Sequence, residues 1–398
     1  MMTMTMTDNQ KISELLTRGV AEVIDHKHLE SQLRSGKKLR VKLGIDPTAK
    51  NLHLGHARAL WKLRNLQDLG HKIIFIIGDF TGLVGDTSDK ESGRPMLSEK
   101  EVKANMQTYL KQVGKILVLK KAEVHYNSKW LKKLSLLEVA TLADQFSLHD
   151  FISRELIAKR LKAGKRVSFR EAYYPIMQGY DSVAVRADVE LGGTDQRFNL
   201  LAGRVLQKFY KQEQQDLLIL PLIAGLDGQM MSKSRGNVIN ILDVPNDMFG
   251  KVMSLRDELI VDYFVLLTNL PLSEVAKAEQ KLKKGISPRD VKIELAKEIV
   301  GMYHGKQAAV KAQKEWEKVF SNKEKPTSMP EMKVSTQNVI DLLVETKLAP
   351  SKTEARRLVQ QKAVKYNDEV IDEWDTMIDI QSGAILQVGK RKFVRLRK

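Results

Sequence analysis

The chain has 398 residues, 42% of them apolar, enough for two or three domains each with a core of its own. Its formal net charge of +17 favours a polyanionic partner such as nucleic acid, although a basic surface can also serve solubility alone. The absence of cysteine excludes disulfides, thiolate zinc sites and a cysteine nucleophile, and no run of about eighteen uncharged apolar residues offers a transmembrane span. The opening "MMTMTMTDNQ" lacks a basic segment followed by an apolar core. It therefore reads as a loose polar tail, not a secretory signal, and a soluble, cytoplasmic protein is expected.

From Leu39, "LRVKLGI" predicts a short apolar strand. Residues 55–69 then place Leu60, Leu63, Leu66 and Leu69 at near-helical spacing before a stop at Gly70, and "KIIFIIGD" from Lys72 is the next strand. Strand, helix and strand in this succession are the pattern of a parallel βαβ unit, whose ligand binds at the carboxyl ends of the strands. In "SEKEVKANMQTYLKQVG", Ser98 and Glu101 make a capping box, and Val102, Met106, Tyr109, Leu110 and Val113 form one apolar stripe, so a single scaffold helix is expected. A mostly helical stretch follows to about Gly179. "ADVELGG" and "DLLILPLIAG" then return as strands around a helix spanning residues 198–206, which suggests a parallel sheet split by a helical insertion.

After Asn240 the pattern turns helical, with Pro288 near a helix start and Gly305 near its end. "SNKEKPTSMPEMK", around residues 321–333, is polar, aperiodic and holds two prolines, as a linker does. A small basic module completes the chain. The expected fold class is α/β: a Rossmann-like parallel sheet over residues 1–240 with a helical insertion at about 115–180, an α-helical domain over 241–320, a linker over 321–334, and a small α+β module over 335–398.

The stretch "GIDPTAKNLHLGHA", residues 44–57, sets His53 and His56 where the first strand passes into its helix. A helix N-terminus concentrates unsatisfied amides and partial positive charge, which favours a phosphate, and imidazoles in its first turn add donors. Taken alone, "HLGH" fits a surface or packing role better, and zinc is disfavoured because the pair has no obvious third ligand. A second stretch, "GLDGQMMSKSRGN" at residues 225–237, follows an apolar strand. It offers Ser232, Lys233, Ser234 and Arg235 on a glycine-flanked loop able to close a lysine over phosphates. By charge alone it is an ordinary solvated loop.

Together the two stretches resemble the paired "HIGH" and "KMSKS" signatures of the class I aminoacyl-tRNA synthetases, in order and in separation. "YYPIMQGYDSVAVRADVELGGTDQRFN", residues 173–199, resembles the tyrosyl-tRNA synthetases in particular. If residues 174–181 are helical, Tyr174, Gln178 and Asp181 share one face. The resemblance implies that Tyr174 and Gln178 contact the ammonium of tyrosine with Asp86 of "GDFTGLVGD", that Asp181 accepts the hydrogen bond of the phenol, and that Gln196 helps orient the amino acid. Phenylalanine would leave a buried acceptor unpaired, which is costly.

The same resemblance implies ATP as co-substrate, with magnesium on its phosphates and no resident structural metal. The tyrosine carboxylate would attack the α-phosphate, giving tyrosyl-adenylate and pyrophosphate without a protein nucleophile. Thr48 and His53 match the residues at the transferring phosphate and pyrophosphate. His56, Gly193 and Asp195 match those at the adenosine, and Asp46 belongs to the ATP set. Lys90 and Arg94 of "GDTSDKESGRP" match a basic loop that clamps pyrophosphate, joined by Lys233 from the opposite loop. Two positions depart from the family pattern. Lys42 stands where many members have a tyrosine that helps bind the phenol, and it can either bind the phenol oxygen or point away. Met230 stands at the first lysine of the second signature.

The tyrosyl group would then pass to the terminal ribose of tRNA. The stretch from about residue 335 resembles a small RNA-binding module shared with a small-subunit ribosomal protein, with helices around "SKTEARRLVQQKAV" and strands through "GAILQVGKRKFVRL". Arg356, Arg357 and Lys362 on its helical part, and Lys390, Arg391 and Lys392 near the end, are candidates for the RNA backbone. The family further implies a homodimer through the helical insertion and an anticodon-side role for residues 241–320. Two alternatives are a tryptophanyl-tRNA synthetase and an inactive synthetase-derived RNA-binding protein. The Tyr174, Gln178 and Asp181 face suits a phenol better than an indole. Intact His53, His56, Asp86, Asp181 and Lys233 argue against lost catalysis.

Overall fold

The computed structural model describes residues 8–86, 96–231, 235–320, 329–389 and 392–397. By its contacts the chain forms two compact units, residues 1–306 and 307–398. The helices that follow residue 240, expected as a separate domain, pack within the first unit up to residue 306; Tyr263, for example, donates from its hydroxyl to the carbonyl of Ala224 at 2.8 Å.

The first unit is built on six strands: β1 (Glu22–Ile24), β2 (Arg40–Ile45), β3 (Lys72–Ile77), β4 (Ala122–Tyr126), β5 (Val189–Gly193) and β6 (Asp216–Leu220), in the order β1-β6-β5-β2-β3-β4. All neighbours are parallel except β1, which runs antiparallel to β6 at one edge. The sequence "EVI" is too short to announce that strand. The apolar runs of β3 and β6 are buried nearly throughout, as strands covered by helices on both faces require. The βαβ unit forms as expected, with helix Leu54–Asp68 between β2 and β3 and the two strands in register from Arg40↔Lys72 to Ile45↔Ile77.

Three differences from the expected pattern bear on the site. The stretch after residue 114, expected to be mostly helical, contains β4, which pairs with β3; the insertion of about 115–180 therefore begins only after the sheet has gained this edge strand. Its sequence "AEVHY" carries charge and no apolar run, so the partner strand, not propensity, sets its conformation. The single scaffold helix is two, Glu99–Met106 and Tyr109–Val113, although the Ser98–Glu101 capping box is present. Side chains around the break are taken up by the loop before His53. Asn105 Nδ2 donates to Pro47 O at 3.0 Å, Thr108 Oγ1 to Lys50 O at 3.0 Å and Tyr109 OH to Ala49 O at 2.7 Å. Finally, residues 8–10, expected to be part of the loose tail, open a helix, Asp8–Thr17, which buries Ile12, Leu15 and Leu16; residues 1–7 lie outside the described residues.

The second unit contains helix Lys306–Phe320 and a five-stranded sheet of β7 (Glu331–Lys333), β8 (Val364–Tyr366), β9 (Glu369–Ile371), β10 (Ile385–Val388) and β11 (Lys392–Arg397), in the order β7-β11-β10-β8-β9. Helices Val339–Glu345 and Lys352–Gln360 pack on this sheet around a core that includes Leu342, Val359, Leu386 and Leu396. The end of the expected linker is thus a strand: β7 pairs in parallel with β11. Residues 321–328 lie outside the described residues. No helix among the described residues is long and apolar enough to cross a membrane.

Candidate active site

From β2 the chain steps outward to β3 and β4, then crosses back to β5 on the other side of β2 and steps on to β6, so the sheet order reverses between β2 and β5. In an open parallel sheet such a reversal leaves a crevice at the carboxyl ends, where ligands bind. A cavity of about 320 Å³ occupies it. Asp46, Thr48, His53, His56, Asp86, Tyr174, Gln178, Asp181, Gly193, Asp195 and Gln196 all line this one cavity, although they come from four separate stretches of the chain. A larger hollow of about 520 Å³, among Arg18, Trp61, Lys62 and Leu266, shares only Arg58 with it and holds none of these side chains.

At one end lies Asp181, buried on helix Arg170–Val185, where Tyr174 and Gln178 share its face as the spacing predicted. Its carboxylate accepts from Trp130 Nε1 at 2.7 Å and from Asn127 Nδ2 at 3.2 Å. Burial pushes its pKa up to about 6, against the opposing charge of Lys42 and these two donors. Asn127 also donates to Thr81 Oγ1 at 2.9 Å, Thr81 donates to Asp46 Oδ1 at 2.6 Å, and Tyr174 OH donates to Asp46 Oδ2 at 3.0 Å. One hydrogen-bonded chain thus joins the two acids. Burial raises Asp46 to about 7, with Thr81 holding it down and Asp86 pushing it further up. Gly78 has to be glycine here, because a Cβ would collide with the Asp46 carboxylate and the Thr81 hydroxyl.

At the other end, His53 is the N-cap of helix Leu54–Asp68 in extended backbone geometry. Its ring accepts from Gly55 N at 3.2 Å, and the ring of His56 accepts from His53 N at 3.3 Å, through Nδ1 in both cases. The two imidazoles therefore form a reciprocal capping box, with ring centroids 4.0 Å apart. An accepting Nδ1 leaves the proton of each neutral ring on Nε2, so each ring can donate to an anion. The segment after the second signature is pinned to this turn: Leu54 N donates to Ile239 O at 2.9 Å and Ile241 N to Leu52 O at 2.9 Å.

Asp86 and Gln196, far apart in sequence, meet here: Gln196 Nε2 donates to Asp86 Oδ2 at 2.6 Å, while Asn199 Nδ2 donates to Gln196 Oε1 at 2.9 Å and fixes the amide. Gly193 ends β5, and a Cβ there would run into the carboxylate of Asp195. Its small size serves this local turn as well as any close approach of a ligand.

Comparison with known proteins agrees with this geometry. The model for class I tRNA synthetases (W and Y) matches residues 34–321, and that for the tyrosine–tRNA ligase SYY-like C-terminal domain matches residues 320–396. The tyrosine–tRNA ligase of Moorella thermoacetica is 48% identical over 96% of this chain and 94% of its own length, and that of Thermotoga maritima 45% identical over 98% of each. The chain belongs to the tyrosyl-tRNA synthetase family. The fold agrees: the tyrosyl-tRNA synthetase of Archaeoglobus fulgidus complexed with L-tyrosine superposes with a TM-score of 0.62 at 22% identity, covering 77% of this chain and all of that one.

The synthetase departs from the expected site in what the sequence did not single out. Lys42 reaches the cavity wall but is bound to Glu190, with Nζ to Oε1 at 2.9 Å, both side chains being buried. Trp130, Asn127 and Thr81 were not anticipated; the first two follow the unrecognised strand β4, so their proximity to Asp181 had no local signal. Arg58 also lines the cavity, one helical turn beyond His53, with burial lowering its pKa to about 10. Lys90, Arg94 and Lys233 lie outside the described residues, as do Lys390 and Arg391. Arg356, Arg357, Lys362 and Lys392 are exposed on the second unit. Arg356 lies over the Trp374 ring, 5.0 Å from its centroid, Arg357 pairs with Glu354 at 2.6 Å, Lys362 with Asp372 at 3.4 Å, and Lys392 Nζ donates to Leu348 O at 3.2 Å.

Proposed function

We propose that this synthetase joins tyrosine to tRNA in two steps, and that the cavity at the β2/β5 crevice is where both occur. The observation that carries the reading is a single cavity with a buried phenol-type acceptor, Asp181, at one end and two histidine donors on a helix N-terminus at the other. Its volume of about 320 Å³ is in the range of small-molecule sites.

In the first step the tyrosine carboxylate oxygen forms a bond to the α-phosphorus of ATP as the bond to pyrophosphate breaks. Asp181 accepts from the phenol hydroxyl, while Asp86, Tyr174 and Gln178 receive the ammonium and Gln196 steadies Asp86. Thr48 and His53 Nε2 donate to phosphate oxygens as negative charge shifts towards the leaving group; His56, Gly193 and Asp195 hold the adenosine, and Asp46 completes the ATP set. Catalysis is thus positioning and electrostatic stabilisation. Lys90, Arg94 and Lys233 neutralise pyrophosphate. Magnesium would accompany the ATP phosphates, in keeping with its habit of retaining water and few protein ligands.

In the second step a hydroxyl of the terminal ribose attacks the tyrosyl carbonyl and AMP leaves. Arg356, Arg357, Lys362 and the basic residues 390–392 bind the tRNA backbone. The helices after β4 expose Leu136, Leu137, Leu148 and Phe169, which fits a homodimer contact through the insertion; sedimentation at micromolar concentration tests it. A cytoplasmic location fits the reaction, and the lack of cysteine allows a reducing compartment. Tyrosine-dependent exchange of pyrophosphate into ATP tests the whole reading. Activity with tyrosine supports it, activity with tryptophan redirects it, and no activity with retained tRNA binding replaces it with an inactive RNA-binding protein.

A further inference from the structure

The pairing of β2 with β5 consists of Val41↔Val189 and Lys42↔Glu190, beyond which the strands make no further registered pair. The last rung before the crevice opens is therefore an ion pair, with Lys42 0% and Glu190 1% exposed and Nζ 2.9 Å from Oε1. Every proton of the ammonium is used: Nζ also donates to Ser182 Oγ at 2.7 Å and to the carbonyl of Gln178 at 3.0 Å. Glu190 is as fully occupied. Gln178 Nε2 donates to Oε1 at 3.1 Å, and Ser182 Oγ and Gln215 Nε2 donate to Oε2 at 3.0 and 2.5 Å.

A buried ion pair contributes little net stability over apolar residues of similar volume, so its presence under a polar cavity needs another explanation. The amide of Gln178 supplies one. With Nε2 committed to a carboxylate, Oε1 is left as the face it can turn to a ligand, an acceptor suited to an ammonium; the reversed amide would present a donor and repel it. Lys42 supplies the second: its Nζ is held on Ser182, the neighbour of Asp181 on the same helix, and from there its charge favours the carboxylate that accepts from a phenol.

We propose that Lys42 and Glu190 are a positioning pair for the amino-acid subsite: Glu190 fixes the polarity of Gln178, and Lys42 supplies the positive charge behind Asp181. The inference rests on the reading of this cavity as the tyrosine pocket. It also answers which way the lysine turns: it serves the phenol site from behind, through the carboxylates. The charged groups acting on Asp181 are Lys42 on β2, Glu190 on β5 and Asp46 beyond β2, and Lys42 outweighs Glu190.

The test is pyrophosphate exchange with the full-length protein, comparing wild type, Glu190→Gln and the double variant Lys42→Met with Glu190→Gln. Glu190→Gln is expected to raise the KM for tyrosine about tenfold, with kcat and the KM for ATP changed less than about twofold. The double variant leaves no unpaired buried charge and is expected to keep a Tm close to wild type. Its KM for tyrosine stays raised, and the acidic limb of its tyrosine kcat/KM profile moves up by about one pH unit. A folded variant of either kind with the wild-type tyrosine KM and pH profile overturns the proposal and leaves the pair a packing feature. If wild type itself shows no tyrosine-dependent exchange, the reading of the cavity fails; an active wild type with indifferent variants removes the positioning pair alone.

Discussion

Trp130 Nε1 lies 2.7 Å from Asp181 Oδ1, and this bond joins the short helix after β4, Ser128–Leu131, to the helix that carries Asp181. A hydrogen bond to a charged acceptor contributes roughly 1.5–3 kcal/mol. Trp130→Phe keeps most of the packing and removes the donor. It should raise the KM for tyrosine on the order of tenfold and leave the KM for ATP alone. An unchanged tyrosine KM in pyrophosphate exchange would show that Asp181 does not depend on this bond.

Acidification should move binding and stability in opposite directions. Burial holds Asp181 at about 6 and Asp46 at about 7, both above the unfolded value of about 3.9. A raised folded pKa means that the folded state binds protons more tightly. The stabilising contribution is then fully present below about pH 4 and is lost as pH rises through 6 to 7. Tyrosine affinity has the opposite sign, since protonation removes the carboxylate that accepts the phenol. Asp181→Asn should raise the KM for tyrosine and flatten the fall of Tm between about pH 5 and 7. An equally steep fall in this variant assigns the effect to other groups.

His53 caps its helix and, in the proposed reaction, donates to a phosphate oxygen, and the two roles can be separated. As N-cap it is worth about 1 kcal/mol to helix Leu54–Asp68. His53→Ala should lower Tm and the rate of adenylate formation together. His53→Ser restores a capping oxygen without an Nε2 donor, so Tm should recover and the single-turnover rate should not. Recovery of both would leave the histidine with a structural role alone.

Lys233→Ala should slow adenylate formation far more than it weakens tyrosine binding, because its charge is needed as pyrophosphate departs. Equal losses in rate and in tyrosine affinity, measured by rapid-quench kinetics and equilibrium titration, would refute the assignment.

Replacing Arg356, Arg357 and Lys362 by alanine should weaken tRNA binding and reduce the slope of log K against log salt by about one for each phosphate no longer neutralised. Arg357 and Lys362 are already paired with Glu354 and Asp372, so Arg356 should account for the largest part. Pyrophosphate exchange should be unaffected, since the cavity lies wholly within residues 1–306.

Much of the site was legible because its chemistry is carried by short contiguous stretches. The turn holding His53 and His56 follows an apolar strand and opens a helix, and one helical face carries Tyr174, Gln178 and Asp181; local spacing gave these positions, and the family resemblance gave the expectation that they share one site. The C-terminal module was readable from contiguous stretches as well: as the resemblance implied, helices Val339–Glu345 and Lys352–Gln360 precede the short strands β8 to β11.

What the sequence determined by itself, then, is the set of candidate groups and the strand-helix-strand frame that presents them, since each depends on residues within one or two helical turns. Tertiary structure alone decided the surroundings that tune those groups. Asn127 and Trp130 reach Asp181 because β4 pairs with β3, and no apolar period in "AEVHY" announces that pairing. Lys42 meets Glu190 because β5 is laid beside β2 from almost 150 residues further along the chain. Sheet neighbours are chosen by long-range packing, and the charge environment of a buried carboxylate is set by whichever neighbours that packing brings.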